Sequence, residues 1–476
     1  MLSLAFPVLG LAAAASLATA NLVPNIIFKD VVIVGGGASG AYAAVRLRDD
    51  FGKSIALIEK QSILGGMVDS YVNPKTGVPL DFGVKLFIDA GNATGFFERF
   101  GIAMGNSSMP TVTTEYIDFI TGNVVDFQLP PITDQFAAIA KFLKVVEPWE
   151  HLLQPGYYDF PKPDAIPEDL LITFGNFITK HGLQAAVPLI YESTGLGLRN
   201  MTRETTMFVL QSFGPSMARA MLGQQAMFVP ASGRNQDLYD AIAKDLGDDI
   251  LYSSTVIRSW RTEYGVSLTV KNSKTGKITL ITAHRLLLAI EPTAANMAPF
   301  DLDDNERSIL SKFTYTNEYT GLVNNSAFAT NYSYFNLPAA AAPNNYLMLP
   351  DGSFTVRIDY LGGDNIFRVT TVGEETLDPA GAKRLVEKEF DTLLKAGRLL
   401  EPYEGQKLSW VDFSVHGPMH ARVSVADVED GFFQKLYALQ GGRSTWWTGG
   451  AFSVNFQTTL WQFDELLFPE ILKGLN

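Results

Sequence analysis

Residues Asp30–Gly40 read D-V-V-I-V-G-G-G-A-S-G, an apolar β-branched run that stops at a cluster of glycines. Val31–Val34 has the composition of a buried strand, and the segment Ala41–Leu47 that follows is amphipathic. The pattern predicts strand, tight turn, helix. Gly35, Gly37 and Gly40 fill the three places of G-x-G-x-x-G. The first glycine allows the turn, the second lets a pyrophosphate approach the backbone, and the third lets helix and strand pack closely. The helix then offers unpaired N–H groups and the positive end of its dipole to phosphate. A second apolar run, Ser54–Ile58, ends in Glu59, 19 residues after Gly40. An acid at that place accepts hydrogen bonds from an adenosine ribose.

Composition narrows the function classes. The chain has 476 residues, is 47% hydrophobic and 12% aromatic, and so has material for two or three domains' worth of core. Its net charge of −13 argues against a nucleic-acid partner. There is no cysteine, which excludes disulfides, thiolate metal sites, catalytic thiols and cysteinyl-linked cofactors. Five histidines occur without metal-ligand spacing, so no metal is expected.

Residues 1–20 carry no charge and end in Ala18-Thr19-Ala20, which reads as a secretory signal cut after Ala20. An uncleaved anchor is the alternative, although the run is short for a bilayer. Five sequons, at Asn92, Asn106, Asn200, Asn324 and Asn331, support a secreted glycoprotein, and each is then expected at the surface.

Beyond Glu59, Gly65-Gly66-Met67 forms a second glycine turn, and Leu80-Asp81-Phe82-Gly83 reads as a turn into a new element. Gly52-Lys53-Ser54 is no phosphate loop, because it precedes a strand. Residues 91–231 turn to helical spacing with proline breaks and dense aromatics, among them Trp149, Tyr157, Tyr158, Phe160, Phe174 and Phe177, which are expected in a core. Residues 232–292 return to α/β grammar, with a helix over Gln236–Leu246 and a hairpin of Val266–Lys271 and Ile278–Thr282. A separate buried strand, Arg285–Ile290, ends at Glu291-Pro292. Strands are expected at Thr316–Val323, Phe354–Tyr360 and Asn365–Val372, and a helix at Ala382–Ala396. The chain closes on Leu439-Gln440-Gly441-Gly442-Arg443-Ser444-Thr445-Trp446-Trp447-Thr448-Gly449-Gly450-Ala451 and a helix from about Gln457 to Leu467.

These stretches together resemble the flavin-containing amine oxidase superfamily, nearest to its secreted fungal branch of the β-cyclopiazonate dehydrogenase type. The pieces that carry the resemblance are V-V-I-V-G-G-G-A-S-G with Glu59, L-G-G-M, L-D-F-G, and the closing L-Q-G-G-R-S-T-W-W-T-G-G-A. The resemblance implies FAD as cofactor and a fold in the α/β class. That fold is a Rossmann-like, two-dinucleotide-binding-domain flavoprotein with a mixed α+β substrate or cap domain. The corresponding division is 21–90, 232–300 and 440–476 for FAD, with 91–231 and 301–439 for substrate. It implies hydride transfer from a C–N or C–C bond to flavin N5, with dioxygen as the usual final acceptor. By position, Gly35, Gly37, Ala38, Ser39 and Gly40 hold the pyrophosphate, and Glu59 takes the ribose. Gly65, Gly66 and Met67 lie along the ribityl chain, Val256 touches the adenine end, and Gly449 and Gly450 approach the ring.

Three departures separate this chain from the pattern: Met67 replaces an arginine, Gly450 replaces a glutamate, and Thr316–Thr320 lacks the lysine that amine oxidases place near flavin N5. FAD binding is therefore better marked than amine oxidation. His416 is the candidate proton acceptor, since imidazole titrates near neutrality. His420 is a second candidate, and Trp446 or Trp447 a candidate flavin wall. The substrate expected is a small, largely apolar molecule. A flavin-dependent isomerase, and an FAD protein without catalysis, fit the same residues. A nicotinamide-only dehydrogenase does not account for the Gly65-Gly66 and Gly449-Gly450 pairs.

Overall fold

A computed structural model describes residues 25–106, 110–362, 365–400 and 407–475. The leader expected at 1–20 lies outside them. Two sheets organise the chain. The first has seven strands and follows from the opening motif. Val31–Val34 is fully or almost fully buried on both faces, as a parallel central strand requires. Its strand, Asn25–Val34, pairs in parallel with Ile55–Ile58 on one side and Ile278–Leu288 on the other. Beyond Ile278–Leu288 the sheet turns antiparallel through Gly265–Asn272 and Ser254–Thr262. The short strand Thr445–Trp447 joins in parallel beside Leu286–Leu288. Residues more than 400 positions apart in sequence thus share one sheet.

The expected break between Ile278–Thr282 and Arg285–Ile290 is absent; one strand runs Ile278–Leu288. Polar Thr282 and His284 looked like an interruption, but hydrogen-bonded neighbours on both sides hold the backbone extended through them.

The second sheet has eight strands. Its order runs Ser409–Val415, Thr314–Asn324, Ile366–Gly373, Phe354–Tyr360, Tyr332–Asn336, Thr113–Asp118 and Asn123–Val124, with Met419–Arg422 paired to Thr314–Asn324. The helix Pro379–Lys395 covers one face, packing Val386, Phe390 and Leu393 onto Ile358, Phe367 and Val369. Residues 91–231 are therefore not wholly helical. Thr113–Asp118 lies on the sheet, because its β-branched sequence pairs with a strand more than 200 residues later, and Asn123–Val124 pairs back onto it.

Helices from Ile132 to Met221 pack on a single large core with the first sheet. Of the aromatics expected in a core, Tyr157, Phe160, Phe174 and Phe177 are buried, whereas Tyr158 is exposed. Among the described residues no helix is long and apolar enough to cross a membrane. The sequons divide: Asn92, Asn106 and Asn331 are exposed and Asn324 is half-buried. Asn200 contradicts the surface expectation, since it is buried and its amide donates to the Leu349 carbonyl and to Asp351.

Candidate cofactor site

At the C-terminal ends of Asn25–Val34, Ile55–Ile58 and Ile278–Leu288 lies a cavity of about 420 Å³. This is where open parallel sheets bind ligands. Gly35, with φ of +101°, turns the chain out of the strand; a Cβ there would lie 2.5 Å from the Ala289 oxygen. The helix Ala38–Val45 starts at Gly37 without a side-chain cap, so its first N–H groups remain available. Ser39 Oγ is buried beside them without a partner. Gly36 N donates to Glu59 Oε2 at 2.7 Å and Gln61 N to Glu59 Oε1 at 2.6 Å, which fixes the carboxylate at the cavity wall with lone pairs to spare. Gly66 comes so close to Gly37 that a Cβ on it would sit 2.9 Å from the Gly37 Cα.

The structure brings most of the expected residues to this one space. Gly35, Gly37, Ala38, Ser39 and Glu59 line it at the opening turn, and Gly65, Gly66, Met67 and Val256 line it further along. Gly449, Gly450 and His416 close it from segments far away in the chain. Gly40 is the exception among the glycines. It lies behind the turn, where a Cβ would strike the Gly35 oxygen at 1.8 Å, so it packs helix on strand and does not face the cavity.

Trp447 is a correction. It is fully buried and absent from the cavity lining, stacked on Phe452 with ring centroids 5.9 Å apart and with the Arg261 guanidinium over its ring. As the last residue of a strand inside the first sheet, it faces the core. Trp446 is also buried away from the cavity, under Arg285.

His416 follows the strand Ser409–Val415. Its Nε2 is 2.6 Å from Asp69 Oδ2 and its Nδ1 is 3.9 Å from Glu318 Oε1. An acid on one ring nitrogen orients the imidazole and sets its tautomer. His420 differs. Burial and the neighbouring Arg422 charge push it down to about 3, so it stays neutral at ordinary pH.

Glu291 was missed. It ends the run A-I-E-P, where sequence shows only a strand terminus. In the fold it lines the cavity with Oε2 lacking a partner, and burial pushes its carboxyl up to about 8 against hydrogen bonds from the Gly450 and Ala451 backbone. It also accounts for one departure: a Cβ at Gly450 would lie 2.7 Å from Glu291 Oε1 and 2.2 Å from Asn455 Oδ1. A side chain at 450 would have to displace the Asn455 and Glu291 side-chain ends. The helix Gln457–Leu472 also begins without a side-chain cap and presents Gln457 and Leu460 to the cavity.

The donor set suits a dinucleotide with an attached ring: uncapped N–H groups for the phosphates, a fixed acid for a ribose, and a second helix start at the far end. Residues 33–100 match the model of the NAD(P)-binding Rossmann-like domain. Along 95% of this chain and 93% of the relative, 34% of residues are identical to the FAD-dependent oxidoreductase pigF of Monascus ruber. The β-cyclopiazonate dehydrogenase of Aspergillus flavus is 31% identical, over 96% of this chain and 97% of its own. Among solved structures, a conjugated-linoleic-acid-producing fatty acid isomerase from P. acnes superposes with a TM-score of 0.69 at 16% identity, covering 93% of this chain and 98% of its own. Cyclohexylamine oxidase from Brevibacterium oxydans superposes with a TM-score of 0.60 at 18% identity, covering 94% and 99%.

Fold and cavity thus define an FAD-dependent oxidoreductase. The chain belongs to the family of FAD-dependent oxidoreductases that includes pigF and β-cyclopiazonate dehydrogenase, it shares its fold with amine oxidases, and its cofactor is FAD.

Proposed function

We propose that this oxidoreductase takes hydride from a C–N or C–C bond of a small, largely apolar metabolite, in fungal secondary metabolism. The observation that carries the reading is the meeting of Gly35–Ser39 with Gly449-Gly450 and His416 around one cavity. When bound, FAD would supply a hydride-accepting N5, with dioxygen as the final electron acceptor. The protein's part is to bind, orient and handle protons.

The Gly37–Ser39 backbone holds the pyrophosphate and Glu59 the ribose. Val256 packs at the adenine end, and Gly65, Gly66, Met67, Gly449 and Gly450 leave room for the ribityl chain and ring. His416, oriented by Asp69 at 2.6 Å, accepts the substrate proton. The discontinuous segments 21–90, 232–300 and 440–476 form the FAD unit. Residues 91–231 and 301–439 form the substrate unit. A secretory route fits the leader-like residues 1–20 and the exposed Asn92, Asn106 and Asn331.

The test is anaerobic mixing of the purified yellow protein with a panel of fungal metabolites, followed by admission of oxygen. Bleaching of the flavin and then peroxide formation are expected. Product formation with no net oxidation would replace this reading by isomerisation.

A further inference from the structure

The antiparallel part of the first sheet turns one face to solvent, and large apolar side chains stand on it. Phe28, Thr282, Ser267 and Trp260 are paired in register across four neighbouring strands, so they share that face. The next row on it is Ile26, Leu280, Thr269 and Arg258. The residues between, such as Val266, Leu268 and Ile281, point into the core. Phe28 is 74% exposed, Trp260 69%, and Tyr264, in the turn after Trp260, 92%. Together these three aromatics border a groove of about 360 Å³ that Ser267 and Thr282 also line. Single exposed apolar residues are ordinary on a protein surface; several aromatics around one groove mark a contact surface.

Charge at this face opposes that of the whole chain, which is −13. Arg258 and Lys271 lie on the face, and Lys274 and Lys277 lie in the turn that joins Gly265–Asn272 to Ile278–Leu288. All are exposed and, among the described residues, none forms an ion pair. Only two acids belong to these strands and turns. Asp30 accepts from Ser54 at 2.7 Å, and Glu263 accepts from the Arg443 backbone at 3.2 Å. The remaining cations are engaged: Lys29 pairs with Asp249, and Arg261 is buried against Asp301 and Glu306. A second copy of the chain, docked face to face about a two-fold axis, would set the free cations against their own kind. An anionic bilayer uses both features, since Trp and Tyr rings settle at headgroup level and Lys and Arg are drawn to anionic headgroups. Charge elsewhere on the molecule is screened within about 8 Å at physiological ionic strength, so the cations at the face dominate there. The strand that carries Ile26 and Phe28 also begins only four residues after the uncharged run 1–20.

We propose that this face docks the protein on an anionic lipid bilayer, with Phe28, Trp260 and Tyr264 as the apolar contacts and Arg258, Lys271, Lys274 and Lys277 as the headgroup contacts. The aromatics enter the interface from the side of the sheet, and no membrane-spanning helix is needed.

Co-sedimentation of the FAD-loaded protein with vesicles of phosphatidylcholine alone, and of equal parts phosphatidylcholine and phosphatidylserine, tests this. Partitioning onto the mixed vesicles is expected to be about tenfold or more the stronger, and to fall as salt is added. The triple variant Phe28→Ser, Trp260→Ser, Tyr264→Ser is expected to lose that binding by about tenfold or more. The double variant Arg258→Gln, Lys271→Gln is expected to lose much of the preference for the anionic vesicles. These side chains are exposed, so unchanged melting curves and flavin bands are expected and show that the variants are folded. Trp260→Phe supplies a direct reading of the contact: binding to vesicles of brominated lipid persists while quenching of tryptophan emission drops. No binding to the mixed vesicles, equal binding to both kinds, or quenching unchanged in Trp260→Phe would each overturn the proposal. So would binding that survives the triple variant, which would place the contact elsewhere in the chain, and so would a dimer in solution that the triple variant dissociates, which would give the face to a second copy.

Discussion

At the scale of single residues, Glu291 and His416 place titratable side chains at the cavity wall. Glu291 is neutral below about 8 and ionises above it, placing a negative charge in the cofactor cavity beside Gly450. FAD retention in ultrafiltration is therefore expected to weaken as pH rises through 8, and Glu291→Gln is expected to remove that dependence while retaining FAD at pH 7. Equal pH dependence in the variant would contradict the assignment. For His416, the Gln variant is expected to slow anaerobic flavin reduction by about 100-fold with unchanged flavin content, read by stopped-flow absorbance. Motif spacing made Gly35, Gly37, Ser39 and Glu59 legible, because the glycine turn that lines the cavity is backbone built by residues near in sequence. Glu291 and Trp447 were not legible for the opposite reason. The direction a strand residue faces at the sheet's end depends on what packs there.

At the scale of elements, the buried ion network around Arg261 fastens the closing segment to the first sheet. Arg261, on the strand Ser254–Thr262, meets Asp301 at 3.2 Å and Glu306 at 2.6 Å, and Arg443 meets the same two acids. Glu306 is 3% exposed and completes a capping box with Asp303 at the start of the helix Asp304–Leu310. Replacing one member leaves buried acids short of a partner. Arg261→Met is expected to cost about 3 kcal/mol in stability, measured by denaturant unfolding. If the variant matches wild type within error, the network is not what holds the segment. A second tie joins the first helix to the last: Trp461 Nε1 donates to the Ala38 carbonyl at 3.2 Å and its ring stacks on Tyr42 at 5.3 Å. These long-range contacts explain why two glycine turns so far apart in sequence line one cavity.

At the scale of the whole molecule, buried titrating groups set a stability window. Burial raises Glu389, which reaches the Thr355 backbone from the helix Pro379–Lys395, to about 8. Between its ordinary value and 8 the unfolded chain releases a proton that the folded one keeps, so stability falls as pH rises. Two groups limit the acid side. His420 is held down to about 3, so stability is lost as pH falls below the ordinary imidazole value. Asp359 is held down to about 2 by the Arg357 and Arg368 charges, which outweigh the upward push of its burial, and it loses its contribution as pH falls through that value. A thermal midpoint greatest near about pH 6 is expected. Glu389→Gln is expected to reduce the drop between pH 6 and 9 by a few degrees, on the order of 1 kcal/mol. An unchanged alkaline slope in scanning fluorimetry would show that Glu389 ionises without cost.

By itself the sequence determined what is local: the strand–glycine–helix unit, the acid after the second strand, the helix at Gln236–Leu246, the start of the last helix at Gln457, and the absence of cysteine. Each of these rests on backbone conformation or on composition, which neighbouring residues suffice to set. Tertiary structure alone decided the rest. It buried Trp447 and Asn200, joined 113–124 to a sheet formed far downstream, exposed Glu291 to the cavity, and set Arg357 and Arg368 around Asp359. Burial, and the shift it imposes on a charge, belongs to the packed whole and is written in no short stretch of chain.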